Sequence, residues 1–358
     1  MTERVIIMKK IKILTLIGNN YGGALQAYAL YHTIKKYDKN VSIINYSPFF
    51  GKLSLKDYIK KIVYIKRDVK FNLFRKKMLN LTAKLSILED DKNSLYIVGS
   101  DQVWNPSIDI SVRENYYLKF VSDSNRKNSY AASIGTNYID DNENNIKTIT
   151  DLLSQFNYIT VREQTANDIL NRVINKKIYT VLDPTLLMKQ EEWKKISKKY
   201  NHKEKYVCVY TLGLNRSVEG VIDSFSKEYN KKIIDIFYKK RFSNELKHEN
   251  GFGPIEFISA IENSDFVITN SFHGTVFALL FHKKFITITR GDMNSRIYDL
   301  LKTLKLQDRI LTENDGIEKY RLTAKKDINY EEVDRLLEVE RNNSLKHLKN
   351  ILNIKESE

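Results

Sequence analysis

Short apolar runs alternate with helical stretches along most of the chain, and this alternation limits what it can fold into. The first run, Ile11-Lys-Ile-Leu-Thr-Leu-Ile17, ends in Gly18-Asn-Asn-Tyr-Gly22-Gly23. A helix follows with Ala24, Ala27, Tyr28 and Tyr31 on one face, and then a second run, Val41–Asn45. Strand, glycine turn, helix, strand is a βαβ unit, and its crossover implies parallel strands. Strands are also expected at Leu95–Val98, Lys127–Ser133, Tyr158–Arg162 and Ile178–Asp183, with helices near Asn145–Phe156 and Glu163–Val173. After the lysine-rich stretch Lys194–Lys205 the alternation restarts. Strands are expected at Tyr206–Leu212, Lys232–Tyr238, Asp265–Thr269 and Phe285–Thr289, and helices at Val218–Tyr229, Pro254–Ser264 and Gly274–Phe281. The expected fold is α/β, with two doubly wound Rossmann-like lobes at 9–190 and 200–325 and a charged terminal helix at 330–358. Ligands are expected in the cleft between the lobes, where strands end at their carboxyl ends.

Length supports two lobes, since 358 residues exceed one ordinary core, and each lobe should bury a core of its own. The one cysteine, Cys208, excludes an internal disulfide framework and a multi-cysteine metal site. Within Tyr206-Val-Cys-Val-Tyr210 it reads as a buried structural thiol in a reducing compartment. The longest apolar stretches, such as Thr275–Phe281, fall far short of the roughly 20 residues that cross a bilayer. Met1–Met8 runs into a strand rather than a cleavage site. A soluble cytoplasmic protein is therefore expected. The net charge of +15 fits a lysine-rich solvated surface. It also fits an anionic partner: a phosphorylated small molecule, a lipid-linked saccharide at an acidic membrane face, or nucleic acid. No recognisable nucleic-acid motif is present, so that class ranks last. The basic helical pattern from Leu53 to Leu81 reads as a solvated amphipathic helix or as an acceptor or membrane-facing surface.

Chemistry concentrates where strands give way to helices. In Asp265-Phe-Val-Ile-Thr-Asn-Ser-Phe-His-Gly-Thr275 an apolar strand ends at Thr269, and Asn270, Ser271 and His273 precede an apolar helix. Unpaired amides and the positive dipole end suit an anion there, and His273 can move a proton near neutral pH. The bland alternative is that Asn270 or Ser271 caps the helix while His273 packs. Arg162 ends another strand, where it can grip phosphate or carboxylate, or else pair with Glu163 or Asp168. In Gly99-Ser-Asp-Gln-Val-Trp-Asn-Pro106, residues Ser100, Asp101, Gln102 and Asn105 offer hydrogen bonds to sugar hydroxyls beside Trp104, although a structural turn explains them nearly as well. Asp183, in Leu182-Asp-Pro-Thr185, reads as a cap. The turn after the first strand lacks both the dinucleotide pattern and the phosphate-loop lysine, so neither cofactor is expected.

These segments, in this order, resemble the polysaccharide pyruvyl transferases. The resemblance rests on Gly22-Gly-Ala-Leu-Gln-Ala-Tyr28, Gly99-Ser-Asp-Gln-Val-Trp104, Tyr130-Ala-Ala-Ser133, Val161-Arg-Glu163, Leu182-Asp-Pro-Thr185 and Thr269-Asn-Ser-Phe-His-Gly274. Pro254-Ile-Glu-Phe257 and Arg296-Ile-Tyr-Asp-Leu-Leu301 add to it. It implies a fold like that of two-lobed GT-B glycosyltransferases, with no metal and no cofactor. The reaction it implies moves the enolpyruvyl unit of phosphoenolpyruvate onto two hydroxyls of a surface-polysaccharide precursor as a ketal. His273 then aligns with the catalytic histidine, and Arg162 with an arginine implicated in donor binding. Substrate-binding candidates are Asn19, Gly22, Gly23 and Gln26 on the first turn, with Ser100, Asp101, Gln102 and Asn105 after the third strand. Asn270, Ser271, Gly274, Thr275, Arg290 and Arg296 complete the set. Better-known members carry an arginine two residues before the histidine. Here that position is Ser271, so Arg290, Arg296 or Lys283 would have to supply the positive contact. The acceptor would be a saccharide, lipid-linked in one reading, with peripheral contact at the inner membrane face. A glycosyltransferase using a nucleotide sugar and a non-catalytic binder of anionic glycans are the competing readings.

Overall fold

The computed structural model describes residues 10–48, 64–197, 204–213, 216–236, 242, 245–248, 251–289 and 295–354. The candidate Arg290 and the first part of the basic stretch, 53–63, lie outside the described residues.

The first lobe runs β1 (Lys10–Leu14), α1 (Tyr21–Lys35), β2 (Val41–Ile43), α2 (Ile65–Met78), β3 (Ser94–Val98), α3 (Ile110–Tyr116), β4 (Lys127–Ser129), α4 (Glu143–Ser154), β5 (Ile159–Val161), α5 (Gln164–Asn171) and β6 (Ile178–Thr180). Its sheet has the order β2-β1-β3-β4, all parallel. Bridges from Asn128 to Tyr158 and from Ala132 to Val161 carry it on to the parallel pair β5-β6. The strand expected over Lys127–Ser133 stops at Ser129, because Ala131 has a positive φ that breaks the extended run.

The short helix α6 (Gln190–Lys194) leads into the second lobe: β7 (Tyr206–Tyr210), α7 (Arg216–Glu228), β8 (Lys232–Asp235), β9 (Glu245–His248), α8 (Pro254–Glu262), β10 (Phe266–Thr269), α9 (Phe272–Leu280), β11 (Lys284–Thr289), α10 (Ser295–Thr303), β12 (Ile310–Thr312), α11 (Ile317–Lys325) and α12 (Tyr330–Ile351). The parallel order is β9-β8-β7-β10-β11-β12. The chain works outward from β7 to β9, returns beside β7 as β10, and proceeds the other way. Such a reversal opens a crevice between the carboxyl ends of the two central strands. The first lobe has its own reversal between β1 and β3. Segments after all four of these strands line one cleft of about 1420 Å³: Thr15 and Leu16, Asp101 and Gln102, Leu212, and Asn270 to His273.

Burial follows the parallel architecture. Strands β3 and β7 are buried along their whole length, as expected where helices cover both faces, and Cys208 lies fully inside β7. Burial raises its thiol pKa, consistent with an inert packing residue.

Each lobe buries apolar residues of its own, around Trp104 and Phe156 in the first and around Phe225 and Ile286 in the second, and a third cluster joins the two. This joining cluster runs from α1 and β1 through Trp193 to α8, α9 and α12. The physical reason is aromatic: Tyr21 stacks on Phe257 at 4.5 Å and 10°, and Trp193 meets Phe277 edge-on at 4.9 Å. The terminal helix reinforces the joint. Its start touches the second lobe, where the Tyr330 hydroxyl donates to the Lys283 carbonyl. Further along, Ser344 Oγ accepts from the Leu182 amide and Arg341 Nε donates to the Leu186 carbonyl, both at 2.9 Å. Among the described residues no helix is long and apolar enough to cross a membrane.

Candidate active site

Helix α9 begins two residues earlier than its apolar pattern suggests, so His273 stands inside its first turn. Ser271 is the N-cap and accepts from the Gly274 amide, the capping alternative raised by the sequence. Gly274 lets the helix close onto β10, since a methyl there would overlap Thr269 Oγ1 and lie 2.9 Å from its Cβ. Asn270 reaches across the reversal point: its amide donates to the Leu212 carbonyl at 2.8 Å and accepts from the Leu212 amide at 2.9 Å. Both Asn270 and Ser271 line the cleft.

His273 lines the cleft with its side chain 8% exposed, and Nε2 lies 3.6 Å from Asp183 Oδ2. The same oxygen accepts from Arg162 Nη1 at 2.8 Å and from Ser100 Oγ at 3.0 Å. Its partner, Oδ1, accepts from the amide and hydroxyl of Thr185 at 3.0 and 2.6 Å. Asp183 is thus a cap, as the sequence indicates, and also the hub of the site, which the sequence does not indicate. Burial alone would raise its carboxyl pKa, but the charges of His273 and Arg162 outweigh burial and hold it below the ordinary carboxylate range.

Arg162 departs from the simplest expectation for a ligand-gripping arginine. Its side chain is 1% exposed and is not part of the cleft wall. The guanidinium stacks over the Phe272 ring at 4.7 Å, with Nε 3.6 Å from Glu163 Oε2. Glu163 is fixed in turn, its Oε1 accepting from Ser133 Oγ at 2.7 Å and from the Ile134 amide at 3.1 Å. The Tyr130–Ser133 and Val161–Glu163 motifs therefore meet behind the cleft. Burial works against the Arg162 charge, yet Asp183 and Glu163 raise its pKa overall.

The other candidates fall into three groups. Gly23, Asp101, Gln102 and Arg296 line the cleft with His273. With its oxygen turned toward Arg296, the Gln102 amide accepts from both terminal guanidinium nitrogens at 2.6 and 2.8 Å. Among the described residues no carboxylate makes an ion pair with Arg296, and burial, then the Arg162 charge, lowers its pKa. Asn105 is buried beside Gln102, and its Oδ1 accepts from the Ser107 amide at 2.8 Å.

A second group stands behind the wall. Gln26 Nε2 donates to Thr15 Oγ1 at 2.8 Å, Thr15 donates to the Ser100 carbonyl at 2.9 Å, and the Ser100 amide donates to Gln26 Oε1 at 3.2 Å. This closed network carries Ser100 to Asp183. Gln26 and Ser100 are fully buried, as is Thr275, whose hydroxyl donates to the Ser271 carbonyl and meets Thr287 Oγ1. Gly22 belongs here too, since a methyl on it would overlap the His273 ring.

The third group does not line the cleft. Asn19 is exposed and accepts from Arg75 Nη1 at 2.8 Å. Lys283 sits just before β11, at the amino end of a strand whose carboxyl end points toward the site, so it cannot replace an arginine beside His273. No group of three or more histidine, cysteine or carboxylate side chains among the described residues could hold a metal ion.

The fold is shared with solved structures of other proteins. A structure from Listeria monocytogenes described as a UDP-N-acetylglucosamine 2-epimerase superposes with a TM-score of 0.53 at 10% identity, covering 97% of this chain and 98% of that one. Arabidopsis thaliana UGT89C1, solved with UDP-L-rhamnose, gives 0.55 at 9% identity over 97% and 99%. A further UDP-N-acetylglucosamine 2-epimerase gives 0.54 at 12% over 98% of each chain. These likenesses establish the two-lobed GT-B-like fold. No curated protein matches the sequence. The polysaccharide pyruvyl transferase family model matches residues 20–292, a span that holds the cleft's polar junctions and the buried Asp183 hub. The chain belongs to the polysaccharide pyruvyl transferase family.

Proposed function

We propose that the chain transfers the enolpyruvyl unit of phosphoenolpyruvate to two hydroxyls of a saccharide acceptor, forming a ketal. The observation that carries this reading is the convergence of His273 and buried Arg162 on Asp183 Oδ2, at a cleft that also holds Arg296. The chemistry needs an acid for the methylene carbon, which becomes a methyl group. The carbon bearing the phosphate is then open to one sugar hydroxyl and, as the C–O bond to phosphate breaks, to a second. Of the two hydroxyl protons released, one restores the acid and one leaves with phosphate.

His273 is the acid in this scheme, with its Nε2 3.6 Å from Asp183 Oδ2. Arg162 acts through Asp183 as a positioning residue, because its guanidinium lies behind the wall. Arg296, with Gln102, supplies the positive contact that Ser271 cannot, and holds the donor's phosphate or carboxylate. Asn270, Ser271, Gly23 and Asp101 complete the seat. Catalysis at a cytoplasmic membrane face, on a lipid-linked precursor, is our reading of the +15 charge.

Thermal unfolding with added phosphoenolpyruvate tests the donor. A ligand at 100 times its Kd stabilises a native state by about 2.7 kcal/mol. We expect that order of stabilisation in wild type, its loss in Arg296→Gln, and retention of donor binding without turnover in His273→Ala. If phosphoenolpyruvate leaves wild type unmoved while UDP shifts it, the nucleotide-sugar reading replaces this one.

A further inference from the structure

The first-lobe wall of the cleft carries three cations that the donor chemistry does not use. Asn72, Arg75, Lys76 and Leu79 share one helical face of the α2 region and line the cleft, while Phe71 and Phe74 on the other face pack into the core. Lys84 joins them from the segment that pairs with Tyr46 through Leu85.

Arg75 is half-buried, and its Nη1 is held only by neutral acceptors: the Ile17 carbonyl at 3.0 Å, the Gly18 carbonyl at 3.3 Å and Asn19 Oδ1 at 2.8 Å. Its geometry is fixed, and among the described residues no carboxylate forms an ion pair with it; Asp68, whose charge acts on it from further off, pairs with Arg67 at 3.4 Å. Among the described residues no carboxylate pairs with Lys76 or Lys84. Two carboxylates also line the cleft, Asp109, which caps α3 through Ser111, and Asp101, whose charge acts on Arg296, so the three cations outnumber them.

We infer that this wall is a second anion subsite, separate from the His273 and Arg296 seat, and that it takes a multiply charged oxyanion on the acceptor, a sugar diphosphate. The inference rests on the pyruvyl-transfer reading for the word acceptor, but the anion subsite stands on its own residues. One carboxylate, as in a uronic acid, would leave most of the local charge unanswered. A diphosphate meets three cations with several oxygens at once. The acceptor would then lie across the cleft, its phosphoryl end on the α2 wall and its sugar hydroxyls toward His273.

Calorimetric titration with inorganic pyrophosphate, glucuronate and phosphoenolpyruvate separates the possibilities. Wild type, Arg296→Gln and the double variant Lys76→Gln/Lys84→Gln are compared at low and high salt. Both lysines are exposed, so the double variant should fold. We expect it to bind pyrophosphate about tenfold or more weakly while its phosphoenolpyruvate affinity is unchanged. Arg296→Gln should show the reverse, and salt should weaken the pyrophosphate term. Equal pyrophosphate affinity in wild type and the double variant overturns the subsite. Glucuronate binding as tight as pyrophosphate overturns the diphosphate assignment. If phosphoenolpyruvate fails to bind wild type while the lysine-dependent pyrophosphate response holds, the donor reading falls and the subsite survives.

Discussion

A carboxylate buried against a guanidinium and an imidazole holds its neighbours as much as they hold it. Asp183 accepts hydrogen bonds on both oxygens and stands between Arg162 and His273. Asp183→Asn keeps the shape and removes the charge, leaving Arg162 to Glu163 alone. Breaking a buried pair by neutralising one partner costs about 3–5 kcal/mol, so the variant should unfold at clearly lower urea and lose turnover. The pH dependence has a definite sign. The folded-state carboxyl sits below its unfolded value of about 3.9, so its stabilisation is complete above that value and is lost as pH falls toward the folded one. The stability gap between wild type and Asp183→Asn should therefore narrow as urea unfolding is followed from about pH 5 to about pH 3. A gap that stays constant across that window would mean the charge contributes nothing.

Between elements, the decisive contact is α1 against the start of α9. Gly22 lies in the first turn of α1 with ordinary helical backbone, so alanine there is conformationally welcome and favoured by about 1 kcal/mol. The added methyl, however, would lie 2.8 Å from His273 Cγ and closer still to Nδ1, so the imidazole must move. Gly22→Ala should lower kcat while the melting temperature changes little, since overpacking of about 1–3 kcal/mol is partly offset by helix preference. Full activity in this variant would show that the ring position is not critical. The strand-to-helix junctions that build the site were legible in the sequence, because apolar runs end at Thr269 and Val161 and polar groups follow at once. Which polar groups face the cleft was not. Gln26, Ser100 and Thr275 look like ligand contacts because they flank turns, yet each is fully buried in a hydrogen-bond network. Asp183 looked like a cap because one of its oxygens is a cap. Its other oxygen meets Ser100 and His273, 83 and 90 positions away, and no local pattern encodes that meeting. Arg162 met the same limit, since a strand end fixes where a side chain starts and not whether a neighbouring strand covers it.

At the scale of the molecule, the βαβ alternation predicts two sheets but says only which faces are apolar, not what covers them. The faces of α1, α8 and α9 cover one another, so the apolar interior passes from lobe to lobe beneath the cleft. Two consequences follow from this shared interior. Opening the cleft by a large rigid rotation would expose the Tyr21–Phe257 stack and the Trp193–Phe277 contact, large aromatic surfaces whose burial helps hold the lobes together. Unfolding one lobe would also strip apolar cover from the other, so the two should melt as a unit despite a length at which independent domain transitions are common. Scanning calorimetry should show one transition with equal calorimetric and van't Hoff enthalpies, and Tyr21→Ala should shift it down as a whole, at a cost of about 3–5 kcal/mol. Two resolved transitions, or a Tyr21→Ala variant in which only one of them moves, would mean that the lobes are coupled too weakly for the shared core to fix the distance between the α2 wall and His273.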